Sequence, residues 1–223
     1  MPDNPPIRDA ATVIALRGSG PNRAVLMGQR GAKAAFMPSK FVFPGGAVDE
    51  EDKAVPLAAL LAETCLSRLQ ESATPGLAHA LAAAAIRELW EETGLALGTP
   101  GPWPEPPPDW ETFASTGLLP DASALRFVFR AITPPGRPRR FDARFFLLDA
   151  AHLAGDLDDF SRASDELSHL RWVPLKEARA LDLPFITEVV LAEIAAAEPG
   201  MAPTSVPFFK NSDEESLFLR LRG

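Results

Sequence analysis

The sequence predicts an α/β sandwich built on a mixed β-sheet, and three observations carry that expectation. β-branched and aromatic runs near both ends of the chain, "ATVIALRG" to "RAVLMGQRG" and "ALRFVFRAIT" to "RFDARFFLLDA", read as strands. Between them lies a long Ala/Leu-rich stretch that reads as helix. The resulting order, β-β-β-α-α-β-β-β-α-α, alternates the two element types without an internal repeat.

The elements follow in order. Two strands separated by "SGPN" form a hairpin from about Ala11 to Arg30, and "KFVFPGG" is a third strand ended by its proline and glycines. "AVPLAALLAETCLSRLQ", Ala54 to Gln70, predicts a first helix with Pro56 in its opening turn. "ESATPG" breaks it. A second helix then runs to Gly94, with Thr74 as its cap, Pro75 at its first position and glycine at its C-terminus. The proline-rich stretch 99–108 is a stiff connection; a surface loop is the plainer reading and a lid over a site the sharper one. Two strands joined by "PPGRPRR" come next, then a short strand at "LRWVPL" and terminal helices at "LKEARAL" and "ITEVVLAEIAAAE".

A chain of 223 residues with 46% hydrophobic residues can bury a sizeable core, and residues 1–223 suit one domain. The net charge of −8 argues against a nucleic-acid surface, although cations can still bring a phosphate to an acidic protein. One cysteine, Cys65, excludes an internal disulfide and a cysteine zinc site, and its helical flanks read as a buried thiol. "MPDNPPIRDAA" lacks the basic start and apolar core of a signal peptide, and no apolar run is long enough to span a bilayer. The expectation is a cytoplasmic chain with no membrane or nucleic-acid partner, compatible with a homodimer.

The chemistry concentrates in "IRELWEETGL". Glu88, Glu91 and Glu92 stand three and four residues apart, so at about 100° per residue they share one helix side, opposite Ala82, Ile86, Leu89 and Thr93. A solvated acidic face is the commonest fate of such a cluster. These acids, however, sit near the helix C-terminus, where the backbone dipole disfavours negative charge. That placement favours oxygen ligands for a hard divalent cation.

The glycines Gly45 and Gly46, Asp52 six residues on, and "RELWEETGL" from Arg87 to Leu95 together resemble the Nudix box. Its second half, Arg-Glu-aliphatic-x-Glu-Glu-x-Gly-aliphatic, matches at every fixed position. Aspartate stands at Asp52 where the box has glutamate, and 34 residues, Lys53 to Ile86, replace the usual short gap. A contiguous register would put His79 at the acidic position with no glycine to open the loop, and is rejected. A helical insertion at about 53–76 would keep the ends close, because loop-closure entropy rises slowly with length. The insertion, "FVFPGG" and "RRFDARFF" make the chain similar to a branch that includes peroxisomal coenzyme A diphosphatases.

The resemblance implies a Nudix-type α/β/α sandwich and metal-dependent hydrolysis of a nucleoside diphosphate derivative, with Mg²⁺ or Mn²⁺ held by Gly45, through its carbonyl, and by Glu88, Glu91 and Glu92. One of the three glutamates would act as base. Glu166 is either a further ligand or base, or a polar loop residue. Arg87 joins Glu88 and Glu91 in the catalytic set by holding the box loop through a salt bridge, with Asp52 orienting that loop. Arg30, Arg139, Arg140 and Arg144 are candidate substrate ligands, with Arg126 and Arg130 further candidates, because guanidinium suits phosphate. Arg139 and Arg140 would face opposite ways on a strand, while Phe127 and Phe129 would share one core face. The alternative function is a Nudix-fold module that binds a nucleotide without cleaving it.

Overall fold

The computed structural model describes residues 5–71, 73–196, 203–212 and 215–223. Strands β1 (Ile7–Arg17) and β2 (Ala24–Arg30) form the expected hairpin around a short turn. The third strand is divided: β3 (Phe41–Val42) pairs with β2, while β4 (Gly45–Ala47) pairs with the N-terminal half of β1. α1 (Glu63–Gln70) and α2 (Leu77–Thr93) follow, then a small hairpin of β5 (Gly98–Pro100) and β6 (Leu118–Pro120) enclosing the short α3 (Glu111–Ala114). β7 (Arg126–Ile132), β8 (Arg140–Asp149) and β9 (Leu167–Pro174) lead to α4 (Leu175–Ala178) and α5 (Phe185–Ala196), and the chain adds β10 (Val206–Asn211) and β11 (Ser216–Leu221).

The main sheet runs β11-β10-β7-β8-β1-β2-β3, with β4 on β1 and β9 on β2. β1 and β8 are parallel, as are β10 and β7, and the remaining pairs are antiparallel, so the sheet is mixed. Its two faces carry separate cores. Ala11, Val13, Phe146 and Leu148 pack beneath α1 and α2, and Ile14, Val25, Phe145 and Val173 pack beneath α4 and α5. The architecture is therefore an α/β/α sandwich. β1 pairs with β2 only at Leu16 and Arg17, and with β4 at Ala10 to Thr12. β4 thus fills the split where β2 leaves β1, which brings Gly45 and Gly46 under α2.

Several expectations are corrected. The first helix begins at Glu63 instead of Ala54: Val55 and Leu61 drop into the core, and the backbone at Ala58 and Ala59 bonds to Pro120 and Ala122, so tertiary pairing overrides helix propensity. α2 is capped by Gly76 in the left-handed region and starts at Leu77, with no side-chain cap from Thr74. Its end is as expected, with Gly94 at φ 74° donating to the Trp90 carbonyl over 2.7 Å. Phe127 and Phe129 do not share a face. A bulge between them shifts the register, so Phe127 pairs with Phe146 in one core and Phe129 with Phe145 in the other. Strands β5, β6, β10 and β11 were not anticipated. Ser72, the first four residues and the expected helical positions Ala197 and Glu198 lie outside the described residues.

Candidate active site

α2 carries the site because its inner surface is made of small residues. Ala80 and Ala82 to Ala85 are buried, which lets the helix lie close to β1 and β4. Its last two turns then meet the Gly45–Ala47 backbone. Gly45 has φ 154°, a conformation that residues with side chains rarely adopt, and a Cβ there would overlap the Ala11 carbonyl. A Cβ on Gly46 would overlap the Glu88 carboxylate. The two glycines are needed for close approach, one to a neighbouring strand and the other to an acid of α2.

Arg87 organises the acids. Its Nε and Nη2 each donate to Asp52 over 3.0 Å, and Nη2 also donates to the Ala47 carbonyl over 3.0 Å. Nη1 donates to Glu88 over 3.0 Å and to Glu91 over 3.3 Å. Asp52 is fully buried and also accepts the Asp49 N–H over 2.9 Å. Burial works against the charge on Arg87, but the hydrogen bond to Asp52 and the surrounding carboxylates outweigh it and hold the guanidinium protonated.

The three glutamates differ in environment. Burial pushes the Glu88 carboxyl up to about 7, against the opposing pull of Arg87. Glu91 is raised by its partial burial, and its side chain remains 37% exposed. Glu92 is almost fully buried; burial, reinforced by the neighbouring charge of Glu88, raises it well above the ordinary carboxylate range. Its Oε2 accepts the Gly45 N–H over 2.8 Å, whereas its buried Oε1 has no hydrogen-bond partner. Glu166 is exposed, yet its charge acts on both Glu88 and Glu92, so the loop before β9 reaches the same cluster. That loop is fixed to α2 by the Ser164 N–H, which donates to the Glu91 carbonyl over 2.7 Å.

An oxygen-only donor set, raised carboxyls and an orphaned buried Oε1 fit a hard divalent cation. Among the described residues no three His, Cys, Asp or Glu side chains are gathered as a group that could hold a metal ion, and Arg87 Nη1 holds both Glu88 and Glu91. Ligation would draw those two carboxylates off the guanidinium.

The arginines separate sharply. Arg30, half-buried at the end of β2, has an unpartnered Nε, and its charge acts on Glu92. Arg139 is exposed on the turn before β8. Arg140 is buried and donates to the Thr133 and Asn211 carbonyls, at the register of Ile7 and far along β1 from Thr12, which faces Gly45. Arg144 is buried between Asp9 and Asp142, and Arg130 pairs with Asp142 through two hydrogen bonds of 2.9 and 2.7 Å. Alternation along β8 puts residues 140, 142 and 144 on one internal face. Both serve the sheet's internal polar network, Arg144 with its Nε left without a partner, so the expectation that they contact substrate rests on guanidinium chemistry alone.

Asp109, directly after the proline-rich stretch, was not singled out from the sequence. Its charge acts on Glu91. It is placed by its neighbour Trp110, which packs on Phe113, and Phe113 packs edge-on against Trp90 of α2. A tryptophan beside an acid, directly after a proline-rich loop, was the available signal.

No family model matches the chain. The Caenorhabditis elegans protein named "Putative nudix hydrolase 7" is 30% identical over 184 residues, 76% of this chain and 52% of that protein. The chain thus spans about half the length of the curated relative it matches. The crystal structure of a NUDIX hydrolase from Alicyclobacillus acidocaldarius superposes with a TM-score of 0.63 at 29% identity, covering 86% of this chain and 93% of that one. Fold, box residues and relatives agree, and the chain has the Nudix fold and is similar to Nudix hydrolases.

Proposed function

We propose that this protein is a metal-dependent diphosphatase that hydrolyses the diphosphate linkage of a nucleoside diphosphate derivative, with coenzyme A or an acyl-coenzyme A as the most concrete substrate. The observation that carries the reading is the convergence of Glu88 and Glu92 on the Gly45–Gly46 backbone, with Glu92 Oε1 left without a partner. Glu88, Glu92 and the Gly45 carbonyl would hold Mg²⁺ or Mn²⁺, with Glu166 at the margin. Such an ion, when bound, neutralises phosphate charge and makes a water molecule more acidic. Glu91 is the glutamate best placed to take a proton from the attacking water, since its carboxylate keeps contact with solvent. Arg30 has a spare donor to offer phosphate oxygens. In this reading residues of about 53–76 are an insertion that splits the box, and Asp52 with Arg87 rejoins its halves.

Support for the diphosphate class comes from the donor set and from the likeness to Nudix hydrolases; support for coenzyme A comes from the likeness of "FVFPGG" and "RRFDARFF". The test is product analysis by mass spectrometry on coenzyme A, acyl-coenzyme A, ADP-ribose, NADH and nucleoside triphosphates with Mg²⁺ and Mn²⁺, using Glu91→Gln as control. Cleavage of a coenzyme A ester, lost in the control, is expected. Far better turnover of another diphosphate would overturn the coenzyme A assignment. Tight binding with no turnover across the panel would favour a nucleotide-binding module instead.

A further inference from the structure

β11 is the outer strand of the main sheet, and among the described residues no strand pairs with its free side. It lies on β10 in one unbroken register, from Val206↔Leu221 to Asn211↔Ser216. Free edges of this length are normally guarded by lysine, proline or a bulge, because their unpaired N–H and C=O groups recruit other strands. The centre of β11, Leu217, Phe218 and Leu219, carries none of these.

The turn before β11 decides which groups are free. The Ser212 N–H donates to the Glu215 carbonyl over 2.9 Å, in the same register as the strands. Bonded and non-bonded pairs alternate along an antiparallel ladder, so Leu217 and Leu219 bond inward to β10 while Ser216, Phe218 and Arg220 turn their N–H and C=O outward. The edge is apolar on both faces. Phe218 is 50% exposed and heads a row of rings, Phe218 to Phe209 to Phe185, each 6.4 Å from the next, and Phe185 is 69% exposed. Leu219 is exposed on the opposite face, the side of Leu221.

Charge is polarised along the same segment. In "DEESLFLRLR", residues 213–222, acids precede the strand and arginines close it. Antiparallel self-pairing sets each acidic start beside the other copy's basic end, whereas parallel pairing sets like charges together. Arg220 can take part, since its contact with Glu193 is a loose surface ion pair of 3.7 Å.

We propose that this edge is the interface of a homodimer, in which β11 pairs antiparallel with the same strand of a second copy about a two-fold axis at Phe218. That axis is the one that pairs all three outward-facing residues within the strand: Phe218 meets the partner's Phe218, and Ser216 meets the partner's Arg220. Leu217 and the partner's Leu219 then cover each other on the opposite face. β10, β7 and β8 separate this edge from β1 and the Gly45 loop, so the test does not depend on turnover of a diphosphate.

The test is sedimentation equilibrium of the whole chain across a concentration series, with cysteine cross-linking to read the register. A dimer with a dissociation constant of about 10 μM is expected, as suits a small interface. Phe218→Lys, which sets two like charges opposite each other on the axis, is expected to weaken it by about tenfold or more with an unchanged circular dichroism spectrum. In a Cys65→Ala background, Ser216→Cys mixed with Arg220→Cys is expected to form a disulfide-linked dimer under mild oxidation, because directly paired residues lie about 5.5 Å apart. Either variant alone sets its two cysteines four positions out of register, about 14 Å apart, and is expected not to cross-link. Should Phe218→Lys fail to fold, the cysteine pair, which keeps every apolar residue of the edge, decides alone. A monomer at every concentration, or a single variant that cross-links as well as the mixture, would overturn the proposal.

Discussion

Asp52 and Arg87 lie 35 positions apart in sequence and meet through two hydrogen bonds of 3.0 Å, with Asp52 fully buried and Arg87 nearly so. The pair joins the glycine loop to α2 and leaves Arg87 Nη1 free to steady Glu88 and Glu91. Removing one partner strands a buried charge. Asp52→Ala is therefore expected to destabilise the fold by about 3 kcal/mol or more. Chemical denaturation measures this, and a loss under about 1 kcal/mol would show that the clamp contributes little.

The two glycines of β4 predict different failures. A Cβ on Gly45 meets strand backbone, and the residue's φ of 154° excludes ordinary side chains, so Gly45→Ala is expected to lower stability by about 2 kcal/mol or more. A Cβ on Gly46 meets the far end of the flexible Glu88 side chain, which can swing aside. Gly46→Ala is expected to stay within about 1 kcal/mol of the parent while metal-stimulated hydrolysis falls about a hundredfold. Thermal melting and initial rates separate the two cases; equal behaviour of the variants would refute the distinction.

Much of this was legible in the sequence because it is local. Helical spacing alone puts Glu88, Glu91 and Glu92 together, and Gly94 marks the helix end by its tolerance of positive φ. What could not be read is set by distant contacts. Residues 54–62 look helical, yet their backbone is claimed by Pro120 and Ala122. Strict alternation would align Phe127 with Phe129, and one extra residue in the ladder separates them. Arg140 and Arg144 look like phosphate ligands because the carbonyls and carboxylates that occupy them come from Thr133, Asn211, Asp9 and Asp142, and no spacing rule links these positions.

Adjacent arginines on either side of the start of β8 should behave oppositely. Arg139 is exposed, so Arg139→Ala is expected to change stability by less than about 0.5 kcal/mol. Arg140 is buried on backbone carbonyls of Thr133 and Asn211, which Arg140→Ala would leave without those donors, at a cost of about 2 kcal/mol. Urea midpoints at matched slope report both values. A larger loss for Arg139→Ala would contradict this placement.

Glu88 predicts how the metal-free protein responds to pH. Its carboxyl is pushed up to about 7 in the fold, from 4.5 in the unfolded chain, so the folded state holds this proton more tightly. Stability from this group is fully present below pH 4.5, declines as pH rises from there to about 7, and levels off above that value. The side chain is only 12% exposed, so the decline is expected to reach about 3 kcal/mol. Glu88→Gln cannot ionise and should flatten that part of the profile, making the variant more stable than the parent at pH 8 in the presence of a chelator. Urea denaturation across pH 4 to 8 decides the matter: parallel profiles for parent and variant would mean that Glu88 ionises in the fold as freely as in the unfolded chain.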